Sequence, residues 1–173
     1  MNEKKALLVI DMLNDFVLNG APLQIPKIKK IVKNIKREIE KARVEGYTII
    51  YICDCHERDD REFKMFPPHA LKNTEGAKII EDLKPQGSDI IVRKNTFSGF
   101  LNTDLDEILE KLSIEKLIIT GCVTNICILY TAAGAVFRGY KVNIVKDAVI
   151  GLNLKDHKYA LEHMKDILKI NII

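Results

Sequence analysis

Ala6-Leu7-Leu8-Val9-Ile10 is an unbroken run of five apolar side chains, followed at once by Asp11. Side chains on a strand alternate between faces, so such a run predicts a strand buried on both. Strands of that kind belong to parallel sheets covered by helices on either side. The same unit recurs downstream. Residues 27–45 carry Ile28, Ile31, Val32, Ile35, Ile39 and Ala42 at helical spacing, with Gly46 as the stop. Further strands are predicted at 47–52, 89–93, 116–120 and 141–145, with 170–173 as a sixth, edge strand. Further helices are predicted at about 75–84, at 103–112 with Thr103 as cap, at 125–138 before Gly139, and at about 155–169. The alternation gives an α/β class. The expected architecture is a three-layer α/β/α sandwich, Rossmann-like, around a mostly parallel sheet of about six strands. Residues 55–74 break the rhythm with a long polar stretch holding Pro67 and Pro68. Loops of that length in a compact domain are usually functional.

The chain has 173 residues, 47% hydrophobic and 29% charged, with a net charge of +3. That is enough for one domain, 1–173, with a sizeable core, and it is not the balance of a disordered tail. Lys and Arg spread over the predicted helix faces instead of forming a stripe, which argues against a nucleic-acid partner. No apolar run approaches the length of a membrane span, and the charged start with its short apolar run does not read as a secretion signal. A cytoplasmic location is therefore expected. The four cysteines are then reduced, and are candidate nucleophiles or ligands before they are disulfides. The Gly-x-Gly-x-x-Gly fingerprint is absent, which argues against a dinucleotide-binding oxidoreductase. Cys122 and Cys127 are not a Cys-x-x-Cys pair, which weakens a redox role.

Ligands of open parallel sheets bind beyond the carboxyl ends of the strands. Reactive side chains gather there. Asp11 ends the first strand, Asp54 and His56 the second, Lys94 the third, and Cys127 follows the fourth. Cys127 falls in the first turn of a predicted helix, where free N–H groups favour a thiolate and can stabilise an oxyanion. Alone, Cys127 would read as a packing cysteine; beside Asp11 and Lys94 it reads as a nucleophile. Asp11 then serves as acid and base, and Lys94 as electrostatic support. Taken singly, Asp11 would be a turn cap and Lys94 a solvated lysine. Asp54 and His56 are two apart, on one face of a strand, and suit Zn²⁺ or another first-row metal. Glu62 and His69 offer further donors. Cys53 and Cys55 form a competing set on the other face, and a surface hydrogen-bond pair is the bland alternative. Phe16, Phe66 and Phe97 are candidates to line a flat pocket, or simply to pack in the core.

Taken in order, these residues resemble the nicotinamidase/pyrazinamidase branch of the isochorismatase-like cysteine hydrolases. Asp11-Met12-Leu13-Asn14-Asp15-Phe16 is similar to the segment holding that family's catalytic aspartate. Lys94 with Thr96-Phe97-Ser98-Gly99-Phe100 and Thr103-Asp104-Leu105 is similar to its lysine segment. Gly121-Cys122-Val123-Thr124-Asn125-Ile126-Cys127 is similar to its nucleophile turn. Asp54-Cys55-His56, Phe66-Pro67-Pro68-His69 and Thr74-Glu75-Gly76 resemble the metal segment of the nicotinamidases, with Glu62 at a position where some place a fourth ligand.

The resemblance implies a single isochorismatase-like hydrolase domain that converts nicotinamide to nicotinate and ammonia, a step of NAD salvage. It implies catalytic Asp11, Lys94 and Cys127, and an oxyanion hole from the N–H groups of Val123 and Cys127. It also implies a cis peptide at Cys122–Val123, and one divalent metal, Zn²⁺ before Mn²⁺ or Fe²⁺, on Asp54, His56, Glu62 and His69. The ring would stack on Phe16 and Phe66. Two departures stand out. Asn125 replaces the usual Asp, and Glu62 or water must take the place of a third histidine. The edge strand points to a homo-oligomer. The alternatives are hydrolysis of another small amide or an enol ether, and a non-catalytic metal- or small-molecule-binding protein.

Overall fold

The computed structural model describes residues 3–173; Met1 and Asn2, part of the charged start read against a secretion signal, lie outside the described residues. Strand β1 (Lys5–Ile10) is buried along all but its first residue, as its apolar run requires. A short helix α1 (Asn14–Val17) follows. Helix α2 (Lys29–Val44) turns Ile31, Ile35, Ile39 and Ala42 inward, and leads to β2 (Thr48–Asp54). Then come β3 (Ile90–Lys94), α3 (Leu105–Lys111) and β4 (Lys116–Cys122). Next are α4 (Leu129–Phe137), β5 (Lys141–Ile150), α5 (Leu154–Asp166) and the two-residue edge strand β6 (Asn171–Ile172).

The six strands are all parallel, in the order β3-β2-β1-β4-β5-β6. Strand order reverses beside β1, so the carboxyl ends of β1 and β4 flank the crevice where such sheets bind ligands. Two cores cover the sheet. On one face Leu7, Val9, Tyr51 and Cys53 pack against α2. On the other, Leu8, Ile10, Ile50 and Ile52 pack with residues of α3, α4 and α5. Each large aliphatic side chain buried this way contributes about 1.5–3 kcal/mol. Among the described residues no helix is long and apolar enough to cross a membrane.

The helix expected at 75–84 does not form. The backbone there is occupied: Gly76 and Lys78 carbonyls accept from Asp15 and Asn14, and Ile80 N–H donates to Met12. A single 3₁₀ turn, Glu81–Leu83, remains. Helix α3 starts two residues later than expected. Thr103 still reaches it, accepting from Leu105 N–H at 3.3 Å while donating to Gly99 at 2.6 Å. The helix expected at 125–138 divides into a wide turn (Thr124–Ile128) and α4. Strand β5 runs to Ile150, five residues beyond the expected end, with an irregular register against β4.

Candidate active site

The site is built from strand ends. Asp11 leaves β1 with φ of 53°, a left-handed conformation that Asp adopts more readily than most residues. Its N–H still bonds the Ile52 carbonyl, and its Oδ1 accepts from Asp54 N–H at 2.8 Å. Lys94, the last residue of β3, lies in register with Asp54. Its ammonium is 2.8 Å from Asp11 Oδ2, bonds Asp54 Oδ1, and is 3.5 Å from Cys127 Sγ. This lysine is therefore buried and paired, not solvated.

Gly121 brings β4 to the same point. Its φ is 112°, and a Cβ there would lie 2.0 Å from the Ile10 carbonyl oxygen. Only glycine allows that approach. The next peptide, Cys122–Val123, is cis, as the family resemblance implies. The chain then makes a π turn in which Ile128 N–H donates back to Val123 at 3.1 Å, leaving Cys127 buried beside Lys94. Cys122 is likewise buried; its thiol donates to the Asp11 carbonyl at 3.2 Å and holds the two strand ends together.

The electrostatics differ from the thiolate expected for Cys127. Burial pushes its thiol well up; Lys94 opposes this, and the Asp11 and Asp54 carboxylates add to it. The same burial, reinforced by Asp54 and opposed by Lys94, lifts Asp11 to about 6. Donor atoms of Asp11, Asp54 and Cys127 all lie within 4.8 Å of one another. The resting pair is thus a thiol beside a carboxylate that is a stronger base than usual. Lys94 stays charged: burial works against it, but Asp11 and Asp54 more than offset that.

A second cluster adjoins the first. Asp54, His56, Glu62 and His69 are all buried, with ligand atoms within 4.8 Å of one another. The loop folds so that His56 bridges to Leu71, its N–H meeting the Ala70 carbonyl and its carbonyl meeting Lys72 N–H. That return, secured by Asp15 Oδ2 accepting from Ala70 N–H at 2.8 Å, brings His69 beside His56. Both imidazoles have their Nδ1 engaged, His69 on the Pro67 carbonyl and His56 on Asp60. Their Nε2 atoms turn inward, each 3.8 Å from Asp54 Oδ2, with His69 also 3.6 Å from Glu62 Oε1.

These residues fit a divalent metal. His56 Nε2 is buried with no hydrogen-bond partner, which a buried imidazole nitrogen does not tolerate without an unfilled role. Two carboxylates and two imidazoles suit a first-row ion, and two negative charges balance its own. The competing pair is out of reach. Cys53 packs in the α2-side core, and Cys55 lies 4.0 Å from the Arg93 guanidinium.

Both clusters open into one cavity of about 290 Å³. Phe16, Phe66 and Phe97 all line it, joined by Ile126, Leu152 and the loop segment from Ala21 to Ile25. Phe16 lies 5.5 Å from the His69 ring, and Phe66 meets both His69 and Phe97 edge-on. Nothing in the sequence pattern marked Leu152 or the 21–25 segment. Asp60 also went unmarked; its four-residue spacing from His56 was the available signal. Asn125 Oδ1 is buried without a partner, 3.4 Å from where a Cβ on Gly151 would sit.

Comparison with known proteins shows the family and the fold. The isochorismatase-domain family matches residues 5–171. A relative named "probable inactive nicotinamidase" in Arabidopsis thaliana is 34% identical, covering 94% of this chain and 88% of its own. The structure of pyrazinamidase from Pyrococcus horikoshii in complex with zinc superposes with a TM-score of 0.93 at 31% identity, over 98% of each chain. N-carbamoylsarcosine amidase from Thermoplasma acidophilum superposes with a TM-score of 0.90 at 31% identity, over 98% of this chain and 95% of its own. The match spans the whole sheet and every strand end that carries a reactive side chain, and the chain belongs to the isochorismatase-like hydrolase family.

Proposed function

We propose that this hydrolase is a metal-dependent nicotinamidase that cleaves nicotinamide to nicotinate and ammonia. The carrying observation is the second cluster: four buried ligand groups, Asp54, His56, Glu62 and His69, of which Asp54, Glu62 and His69 line the same cavity as Cys127. A divalent ion held there, Zn²⁺ before Mn²⁺ or Fe²⁺, supplies a Lewis-acid anchor for the pyridine nitrogen.

The protein's own residues then account for the chemistry. Phe16, Phe66 and Phe97 give the ring apolar walls. Asp11 takes the Cys127 proton as sulfur bonds the amide carbon. The N–H groups of Val123 and Cys127 receive the developing oxyanion. Asp11 returns the proton to the amine nitrogen as the C–N bond breaks, and ammonia leaves a thioester on Cys127. Water attacks that thioester while Asp11 takes one of its protons; the C–S bond breaks, Asp11 returns that proton to sulfur to restore the thiol, and the acid formed leaves as nicotinate with its proton passing to solvent. Throughout, Lys94 balances the charge on Asp11 and on the sulfur.

A second reading, hydrolysis of another small amide, draws on the likeness to N-carbamoylsarcosine amidase. Its substrate would carry a carboxylate. Among the described residues lining the cavity there is no Lys or Arg to receive one, which favours an uncharged ring. A non-catalytic reading, raised by the name of the Arabidopsis relative, is opposed by the assembled Asp11, Lys94 and Cys127. The test is kcat/KM for nicotinamide against N-carbamoylsarcosine with zinc-loaded protein. Nicotinamide is expected to be preferred by at least about a hundredfold, the scale at which an apolar pocket rejects a more polar substrate. Preference for the carboxylate substrate would overturn the assignment.

A further inference from the structure

We infer, on the metal-ligand reading above, that Asp60 is the positioning residue of that site, fixing the tautomer of His56 and the place of Glu62 at once. Asp60 Oδ2 lies 3.1 Å from His56 Nδ1, and the carboxylate is 8% exposed. A carboxylate can only accept there, so in the neutral ring the proton sits on Nδ1 and the Nε2 lone pair faces Asp54, Glu62 and His69. This is the same Nε2 that is buried without a partner.

The other oxygen does different work. Asp60 Oδ1 accepts from Glu62 N–H at 3.0 Å, the capping bond of the short 3₁₀ turn Arg61–Lys64 that carries Glu62. One side chain therefore ties a ligand from the end of β2 to a ligand from the loop. His69 takes its orientation from the Pro67 carbonyl instead, which no side-chain substitution removes. Metal-bound histidines generally donate their second N–H to such a partner, and losing it costs about 10–100-fold in metal affinity.

Asp60→Asn discriminates. A carboxamide has one acceptor and cannot serve both the Glu62 N–H and the His56 Nδ1–H. With its oxygen kept on Glu62, its NH₂ faces Nδ1 and drives the imidazole proton onto Nε2, the ligating atom. Asp60→Ser keeps a cap for the Glu62 turn but removes the partner of His56.

The experiment measures zinc affinity by competition with a chromophoric chelator for the full chain, Asp60→Asn and Asp60→Ser, each checked for fold by circular dichroism. It adds nitrogen NMR of His56 in metal-free protein, followed through a pH titration and read on the high-pH plateau where the ring no longer changes. Zinc binding about 10–100-fold weaker in both variants is expected, with the imidazole proton on Nδ1 in the unaltered chain and on Nε2 in Asp60→Asn. Variant affinities within about twofold of the unaltered chain's, with an unchanged tautomer, would overturn the role of Asp60. If the unaltered chain binds no zinc, the metal reading fails, while the tautomer measurement still decides what Asp60 does.

Discussion

Asp54 serves both halves of the site. One carboxylate oxygen meets Lys94, beside the Cys127 thiol, and the other faces the His56 and His69 Nε2 atoms. Burial would raise this carboxyl, but Lys94 and His56 hold it below the ordinary carboxylate range, so it is charged and ready to ligate. Asp54→Asn is expected to weaken zinc binding by at least about tenfold and also to lower kcat at saturating zinc. His69→Ala, which has no contact with Lys94, is expected to do the first with a much smaller change in kcat. Chelator competition and steady-state kinetics on the two variants check this; equal losses of kcat would contradict a link through Lys94. The residue types at the rim were legible in the sequence because strand ends gather reactive groups. The sharing of Asp54 was not, because it depends on the register that sets Lys94 opposite it.

At the scale of elements, the cysteine turn depends on how closely β4 approaches β1. Gly121 permits that approach, and any side chain there meets Ile10 backbone and an unfavourable φ. Gly121→Ala is expected to destabilise the fold by at least about 2 kcal/mol. Urea denaturation midpoints measure this, and an unchanged midpoint would show that the strand ends can separate freely. The strands and α2 were readable because their apolar patterns match their burial. The segment at 75–84 was misread because its backbone bonds to residues 12–15, a long-range pairing that local periodicity does not encode. The wide turn at Thr124–Ile128 was read as ordinary helix for the same kind of reason: its apolar spacing resembles a first helical turn, and its closing bond is set by the strand end.

For the whole molecule, the metal cluster ties the 55–72 loop to the sheet, so binding stabilises the fold by mass action. Zinc at about a hundred times its Kd adds about 2.7 kcal/mol and is expected to raise Tm by about 5–10 °C. Protons compete for the same atoms. In the metal-free protein, burial disfavours a charged His56, but the Asp54 and Asp60 carboxylates beside it overcome that and raise the ring to about 9. A raised imidazole holds its proton below that pH, so ligation must expel it. Zinc affinity is therefore expected to climb with pH by up to about tenfold per unit, flattening near pH 9. Below pH about 6, protonation of Glu62, raised by burial and by Asp54, steepens the dependence. Calorimetric titrations at several pH values check this, and a pH-independent affinity would place the metal elsewhere. The three-layer order was legible from alternation alone, whereas the cavity walls from Ala21 to Ile25 and Leu152 were not, because they meet only once the sheet is assembled. The central claim, that Cys127 and a bound divalent ion together hydrolyse nicotinamide, is tested most directly by ammonia release from nicotinamide. The measurement uses chelator-treated protein before and after Zn²⁺ is restored, with Cys127→Ala in parallel. Release that appears only with metal and is absent in Cys127→Ala is predicted; folded, zinc-loaded protein that releases none, or a Cys127→Ala variant that retains activity, would contradict it.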